Sequence, residues 1–151
     1  MITEEIAYRP GVPRDKNFIL NSMMTSFRDA PCNKLLGREE YNRYHDVFTR
    51  LLEVCKVTVA VSPEDHDQIL GYAITASFGE AKVLVYVYVK HVFRRMGIGQ
   101  GILSAAGISL KKPFFYLYLS RAGSIIRSRN REKYGQAVFN PFLIGELTKE
   151  S

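Results

Sequence analysis

Apolar positions follow a period of two across residues 57–89 and a period of three to four on either side. The β-branched VTVAV (57–61), the polar SPEDHDQ (62–68) and ILGYAITAS (69–77) together predict a hairpin. After the turn SFGEAK comes KVLVYVYVK (82–90), in which strict alternation sends Val83, Val85, Val87 and Val89 to one face. Leu84, Tyr86 and Tyr88 then take the other. Both sets are apolar, so this strand is expected to be central and covered on two sides.

From Asp15 onward, Leu20, Met23, Met24 and Phe27 recur with helical spacing, and the two methionines read as core filler. Tyr41, Tyr44, Phe48, Leu51, Leu52 and Cys55 mark one face of a second helix. Its polar face offers Glu39–Arg43 and Asp46–Arg50 as i,i+4 pairs, with His45 partly exposed. A short opening strand at residues 6–9 ends at Pro10, Gly11 and Pro13. Ile98, Ile102, Ala106 and Leu110 repeat every four residues, which predicts a helix closed by Lys111, Lys112 and Pro113. FFYLYL (114–119) reads as a buried strand and residues 120–133 as a basic, helix-compatible segment. QAVFNPFLI (136–144) reads as a final strand or hairpin with a bend at Asn140-Pro141. The order predicts a mixed α/β domain filling residues 1–151 without linker or repeat, and only the connection from 82–90 to 114–119 demands a parallel crossover.

Composition narrows the possibilities. The N-terminus MITEEIAYR is acidic and no apolar run approaches the roughly 18 residues of a membrane span, so a cytoplasmic location is expected. Cys32 and Cys55 have no CxxC partner and read as reduced structural thiols. The acids around His66 lack ligand spacing, and no metal site is expected. Net charge is +6: residues 1–75 hold 9 Lys+Arg against 11 Asp+Glu, residues 76–151 hold 12 against 4. The second half should attract an anion, either a phosphorylated cofactor or nucleic acid.

One segment unites charge with bare backbone. In VYVKHVFRRMGIGQGIL (87–103) a strand runs through Arg94 and Arg95 into Gly97, Gly99 and Gly101, and then into an apolar helix. Glycines admit a ligand close to the backbone, and the first amides of a helix favour negative charge, so a diphosphate fits. A Walker A loop would need Gly-Lys-Ser/Thr where this chain has Gly99-Gln100-Gly101. The dinucleotide fingerprint would need wider glycine spacing and an acid about 20 residues on.

Read as Arg94-x-x-Gly97-x-Gly99, with Leu103 following, the segment resembles the acyl-CoA-binding motif of the GNAT superfamily of N-acetyltransferases. The similarity of element order extends over nearly the whole chain, and VYVK together with NPF looks like the small GNAT-like proteins of bacteriophages. The resemblance implies the GNAT (acyl-CoA N-acyltransferase) fold, a mixed, mostly antiparallel sheet splayed between its fourth and fifth strands with flanking helices. It further implies acetyl-CoA as cosubstrate, with Val87 and Val89 offering backbone groups to pantetheine. Arg94, Arg95, Met96, Gly97, Ile98 and Gly99 would cradle the pyrophosphate, and the Val89 amide would polarise the thioester carbonyl.

Direct transfer to an amine needs a neutral nucleophile, and a lysine with a pKa near 10.4 is only about 0.04% neutral at pH 7. Yet residues 83–89 carry no acid; Glu39, Glu40 and Glu80 are remote candidates that read as surface charge. His91 stands where the family pattern commonly has proline and reads as a turn residue. By resemblance Tyr134 is the candidate general acid, although the usual Phe-Tyr-x-x-x-Gly-Phe arrangement is absent and Arg131 lies four before Gly135. Tyr116 and Tyr118 are alternatives. The cluster Arg121, Arg127, Arg129, Arg131 and Lys133 suits a cofactor phosphate, an acidic acceptor, nucleic acid or plain solvent. The expected activity is therefore acyl-CoA-dependent N-acyl transfer to an unidentified amine. The alternative is a GNAT-like interaction protein that binds a host protein or nucleic acid without efficient transfer. Monomer and homodimer stay open.

Overall fold

The computed structural model describes residues 6–29, 35–94, 97–117 and 137–149. Strands β1 (Ala7–Pro10), β2 (Lys56–Val61), β3 (Ile69–Phe78), β4 (Ala81–Val89), β5 (Phe114–Tyr116) and β6 (Ala137–Phe139) form one sheet in that spatial order. The first four are antiparallel neighbours, and β4–β5 and β5–β6 are parallel. Pro10 is tolerated because β1 is an edge strand.

Helices α1 (Lys16–Asp29) and α2 (Arg38–Val54) cover one face, where Ile19, Met23 and Leu51 meet Val59, Val61, Tyr72 and Ile74. Met23 and Met24 are buried, as expected of core filler. Helix α3 (Ile98–Ala105) covers the other face, where Ile98, Ile102 and Leu103 pack on Ala60, Ala73, Leu84, Val87 and Val89. With β4 fourth among six strands and covered on both sides, its apolar faces are explained.

Strict alternation along β4 fails at one residue. Ile74 pairs with Tyr86 and Thr75 with Leu84, so Val85 is an extra residue, a β-bulge. Val83, Val85, Tyr86 and Tyr88 therefore pack on the α1/α2 side, while Leu84, Val87 and Val89 pack on the α3 side. The four valines do not share a face.

Other boundaries shift for local reasons. α3 stops at Ala105, well before Pro113, because Gly107 takes a left-handed conformation (φ 88°). The Gly107 and Ile108 amides donate back to the Ser104 and Leu103 carbonyls, a Schellman ending. The expected last strand is β6, which stops at Phe139 just before the Asn140-Pro141 bend, and a short helix α4 (Leu143–Leu147) follows in place of a hairpin arm. On α2, Glu39 pairs with Arg43 as expected, whereas Arg50 reaches Glu53 at 3.4 Å and not Asp46. His45 is exposed.

A polar clasp fixes the start of the fold. Asp15 accepts from both Arg9 terminal nitrogens (2.7 and 2.9 Å) and from the Val12 amide (2.8 Å), while Arg9 also donates to the His66 carbonyl. The Arg9 hydrogen bonds hold the Asp15 carboxyl below the ordinary carboxylate range, against the opposing effect of burial.

Candidate active site

The end of β4 turns alternate peptide groups away from β3. The Lys90 amide donates to the Leu70 carbonyl, making 70 and 90 a hydrogen-bonded pair, and Gly71 lies opposite Val89. Alternation in an antiparallel ladder then directs the peptide groups of Val87 and Val89 away from β3. Toward β5, pairing among the described residues covers only Lys82–Leu84, followed by the Leu117 amide donating to Leu84. Beyond the bulge, β4 outruns its described β5 pairing by the five residues Val85–Val89.

Gly71 holds this region together and was not singled out by its sequence context, although an isolated glycine in a strand signals close backbone approach. A β-carbon there would lie 2.5 Å from the Tyr88 carbonyl oxygen and 3.2 Å from the Val89 α-carbon. Only glycine allows β3 this close to the end of β4.

A 3₁₀ turn (His91–Phe93) redirects the chain, with the Phe93 and Arg94 amides donating to the Lys90 and His91 carbonyls. Arg94 folds back so that Nε donates to the Val89 carbonyl at 2.9 Å. This bond ties the turn to the strand and engages Nε, while the two terminal nitrogens lie beyond it on the guanidinium. His91 is exposed, consistent with a turn residue.

The three glycines then separate by role. Gly97 caps α3 with φ 80° and ψ 1°, a left-handed conformation, and a β-carbon on it would meet nothing within 4 Å among the described residues. It requires glycine for its backbone and not for want of space among the described residues. Gly99 is buried in the first turn, and the first α3 amide bond runs from Gly101 to Gly97. The Ile98 and Gly99 amides therefore precede the helical ladder, at its positive end. Gly101 packs against the Tyr8 hydroxyl of β1, so it serves helix–sheet contact.

The face of β4 toward α1 and α2 is aromatic. Tyr72 stacks between Tyr86 and Tyr88, with centroids at 6.0 and 5.3 Å, and Phe18 meets Tyr72 and Tyr88 edge-on. The Tyr72 hydroxyl shares a 2.6 Å hydrogen bond with Ser22, and burial raises its pKa well above the ordinary value. Lys90 Nζ sits 5.0 Å over the Phe18 ring. The bulge at Val85 is what puts Tyr86 and Tyr88 on this side.

No acid stands near the junction in sequence, since none occurs between Glu80 and Glu132. Glu39, Glu40 and Glu80 are exposed, in keeping with surface charge. Burial pushes the Cys55 thiol up to about 11, so this free cysteine is protonated and structural. Arg95, Met96, Tyr118, Tyr134, Cys32 and the basic run 121–133 lie outside the described residues. Among the described residues no helix is long and apolar enough to cross a membrane.

No protein-family model and no curated protein matches the sequence. Solved structures do. The chain is similar to the histone acetyltransferase HPA2 and related acetyltransferase from Corynebacterium glutamicum, with TM-score 0.57, 15% identity and 82% of each chain covered. It is also similar to a GNAT-family acetyltransferase from Staphylococcus aureus (TM-score 0.47, 16% identity, 67% of this chain and 62% of that one). A third likeness is PaiA N-acetyltransferase from Thermoplasma acidophilum in complex with coenzyme A (TM-score 0.48, 13% identity, 68% and 70%). The chain spans less than two thirds of the length of the S. aureus protein.

Proposed function

We propose, for a chain that has the GNAT fold, that it is an acyl-CoA-dependent N-acyltransferase which uses acetyl-CoA and an amine acceptor. The observation that carries this reading is the junction from β4 to α3, where strand-end peptide groups turned from β3 lead into a left-handed glycine that no described residue crowds.

The residues fit the cosubstrate. A β-carbon at Gly97 would meet no described residue within 4 Å, and the Ile98 and Gly99 amides lie at the positive end of α3, a match for a diphosphate. Arg94, with Arg95 and Met96 beside it in sequence, adds positive charge there. Val87 and Val89 would hold the pantetheine arm through their peptide groups, and the Val89 N–H would polarise the carbonyl under attack. Bound acetyl-CoA supplies a thioester whose carbonyl carbon accepts the amine. The chain orients the two reactants, and Tyr134 is the proposed proton donor to the departing thiolate. The acceptor would approach from the α1/α2 side, along Phe18 and Tyr88.

Calorimetric titration with acetyl-CoA and CoA tests the reading, using wild type, Gly97→Asn and Gly97→Asp. Asn and Asp tolerate the left-handed backbone about equally, so only their charge separates them. Micromolar binding by wild type, retained better by Asn than by Asp, is expected. Absence of binding by folded wild type would refute the assignment. An amine screen read by mass spectrometry then tests transfer itself.

A further inference from the structure

At the other end of β4 the sheet is stepped. Lys56, the first residue of β2, pairs with Thr75, while β3 runs on to Phe78 against β4 alone. A cavity of about 300 Å³ opens at this step, with Lys56, Thr75, Ser77 and Lys82 on its walls and no acidic residue among its lining. These four share one side of the sheet, because Lys56 and Leu84 both stand opposite Thr75, Ser77 stands opposite Lys82 two residues on, and Leu84 packs on the α3 side.

Thr75 is the informative member. It is only 4% exposed, and its hydroxyl has no hydrogen-bond partner among the described residues. It is nevertheless not among the oxygens sealed from solvent, so it opens on the cavity. With no partner among the described residues, this hydroxyl keeps its hydrogen-bonding capacity for a group in the cavity. Lys56 and Lys82, which line the same cavity without an acid among its walls, make that group an anion. Another cavity, of about 320 Å³ near Cys55, is walled mainly by apolar groups and carries the opposed charges of Lys16 and Glu53.

We infer that the step is a binding site for the phosphate group of a small molecule, held by Lys56, Lys82, Ser77 and the Thr75 hydroxyl. It is separate from the Gly97 junction, because Lys82 and Val89 stand opposite Ser77 and Gly71, six steps or about 20 Å apart along β3. A ligand here lies against β3 and β4, the two strands that carry Gly71 and the bulge, and so loads the sheet from the end opposite the proposed cofactor.

The test is a titration of the whole chain with inorganic phosphate, followed by amide chemical shifts, with chloride at matched ionic strength as reference. Saturable shifts at Thr75, Ser77 and Lys82 in the millimolar range are expected. The Lys56→Gln/Lys82→Gln variant should weaken binding about tenfold or more, and so should Thr75→Val, which removes only the hydroxyl and suits a strand. Folding of both variants is checked by superposition of the remaining amide signals. Shifts confined to Gly97–Gly99, an equal response to chloride, or unchanged affinity in both variants would overturn the inference.

Discussion

The two halves of β4 contain the same kinds of residue and do different work. From Lys82 to Leu84 the strand is paired on both edges, with Val83 and Leu84 buried on opposite faces, so its backbone is consumed by structure. From Val85 to Val89 the faces are equally apolar, but the peptide groups of Val87 and Val89 turn away from β3 beyond the described β5 pairing. Side-chain hydrophobicity sets which residues are inside; edge pairing sets which way their peptide groups turn. The bulge lies at the boundary between the halves, and it also rotates Tyr86 and Tyr88 onto the α1/α2 side.

Single-residue deletions would break this comparison most severely. Removing Val87 shifts Tyr88 and Val89 onto the wrong faces, and no cooperative unfolding transition should remain in a urea melt. Removing Val85 instead abolishes the bulge while leaving every later side chain on its face. That variant should fold, at a cost of about 3 kcal/mol for the lost buried side chain. If both deletions behave alike, the bulge assignment is wrong.

Next in size is a change remote from β4. Asp15→Ala leaves Arg9 without its carboxylate and should cost about 3 kcal/mol by urea melt, with acetyl-CoA affinity unchanged. Its pH signature has a definite sign. The Asp15 carboxyl is lowered in the fold, so its contribution is complete above the unfolded value near 3.9 and lost as pH falls through the lower folded value. Wild type should therefore lose part of its advantage over Asp15→Ala on acidification below about pH 4.

Gly71→Ala sharpens the comparison from inside. The added carbon meets backbone at 2.5 Å, so β3 and β4 must separate at the binding half, with about 2 kcal/mol lost and acetyl-CoA affinity falling in parallel. The smallest stability effect belongs to Gly97→Asn, about 1 kcal/mol for a left-handed non-glycine residue, since no described residue crowds the new side chain. Gly97→Asp should match it in stability by thermal melt and fall below it in cofactor affinity.

By itself the sequence determined the succession of strands and helices, the central position of residues 82–90 and the glycine junction after them. Each of these rests on local periodicity or on a residue type with a restricted backbone preference. Val57–Val61 could only be a short strand, and Gly97 announced its turn through spacing alone. Where α3 ends was also local, but the signal was Gly107, whose left-handed cap outweighs the continuing Ile98–Leu110 repeat. Only the tertiary structure decided the bulge at Val85, because a bulge exists in the pairing of two strands and leaves alternating residue types in each unchanged. The same holds for Arg94, whose reach to the Val89 carbonyl depends on the turn between them, and for the stepped end of β2 and β3. Periodicity records which side of an element faces oil. Which backbone groups and hydroxyls remain for a ligand depends on where neighbouring strands begin and stop, and that is settled only when they pair.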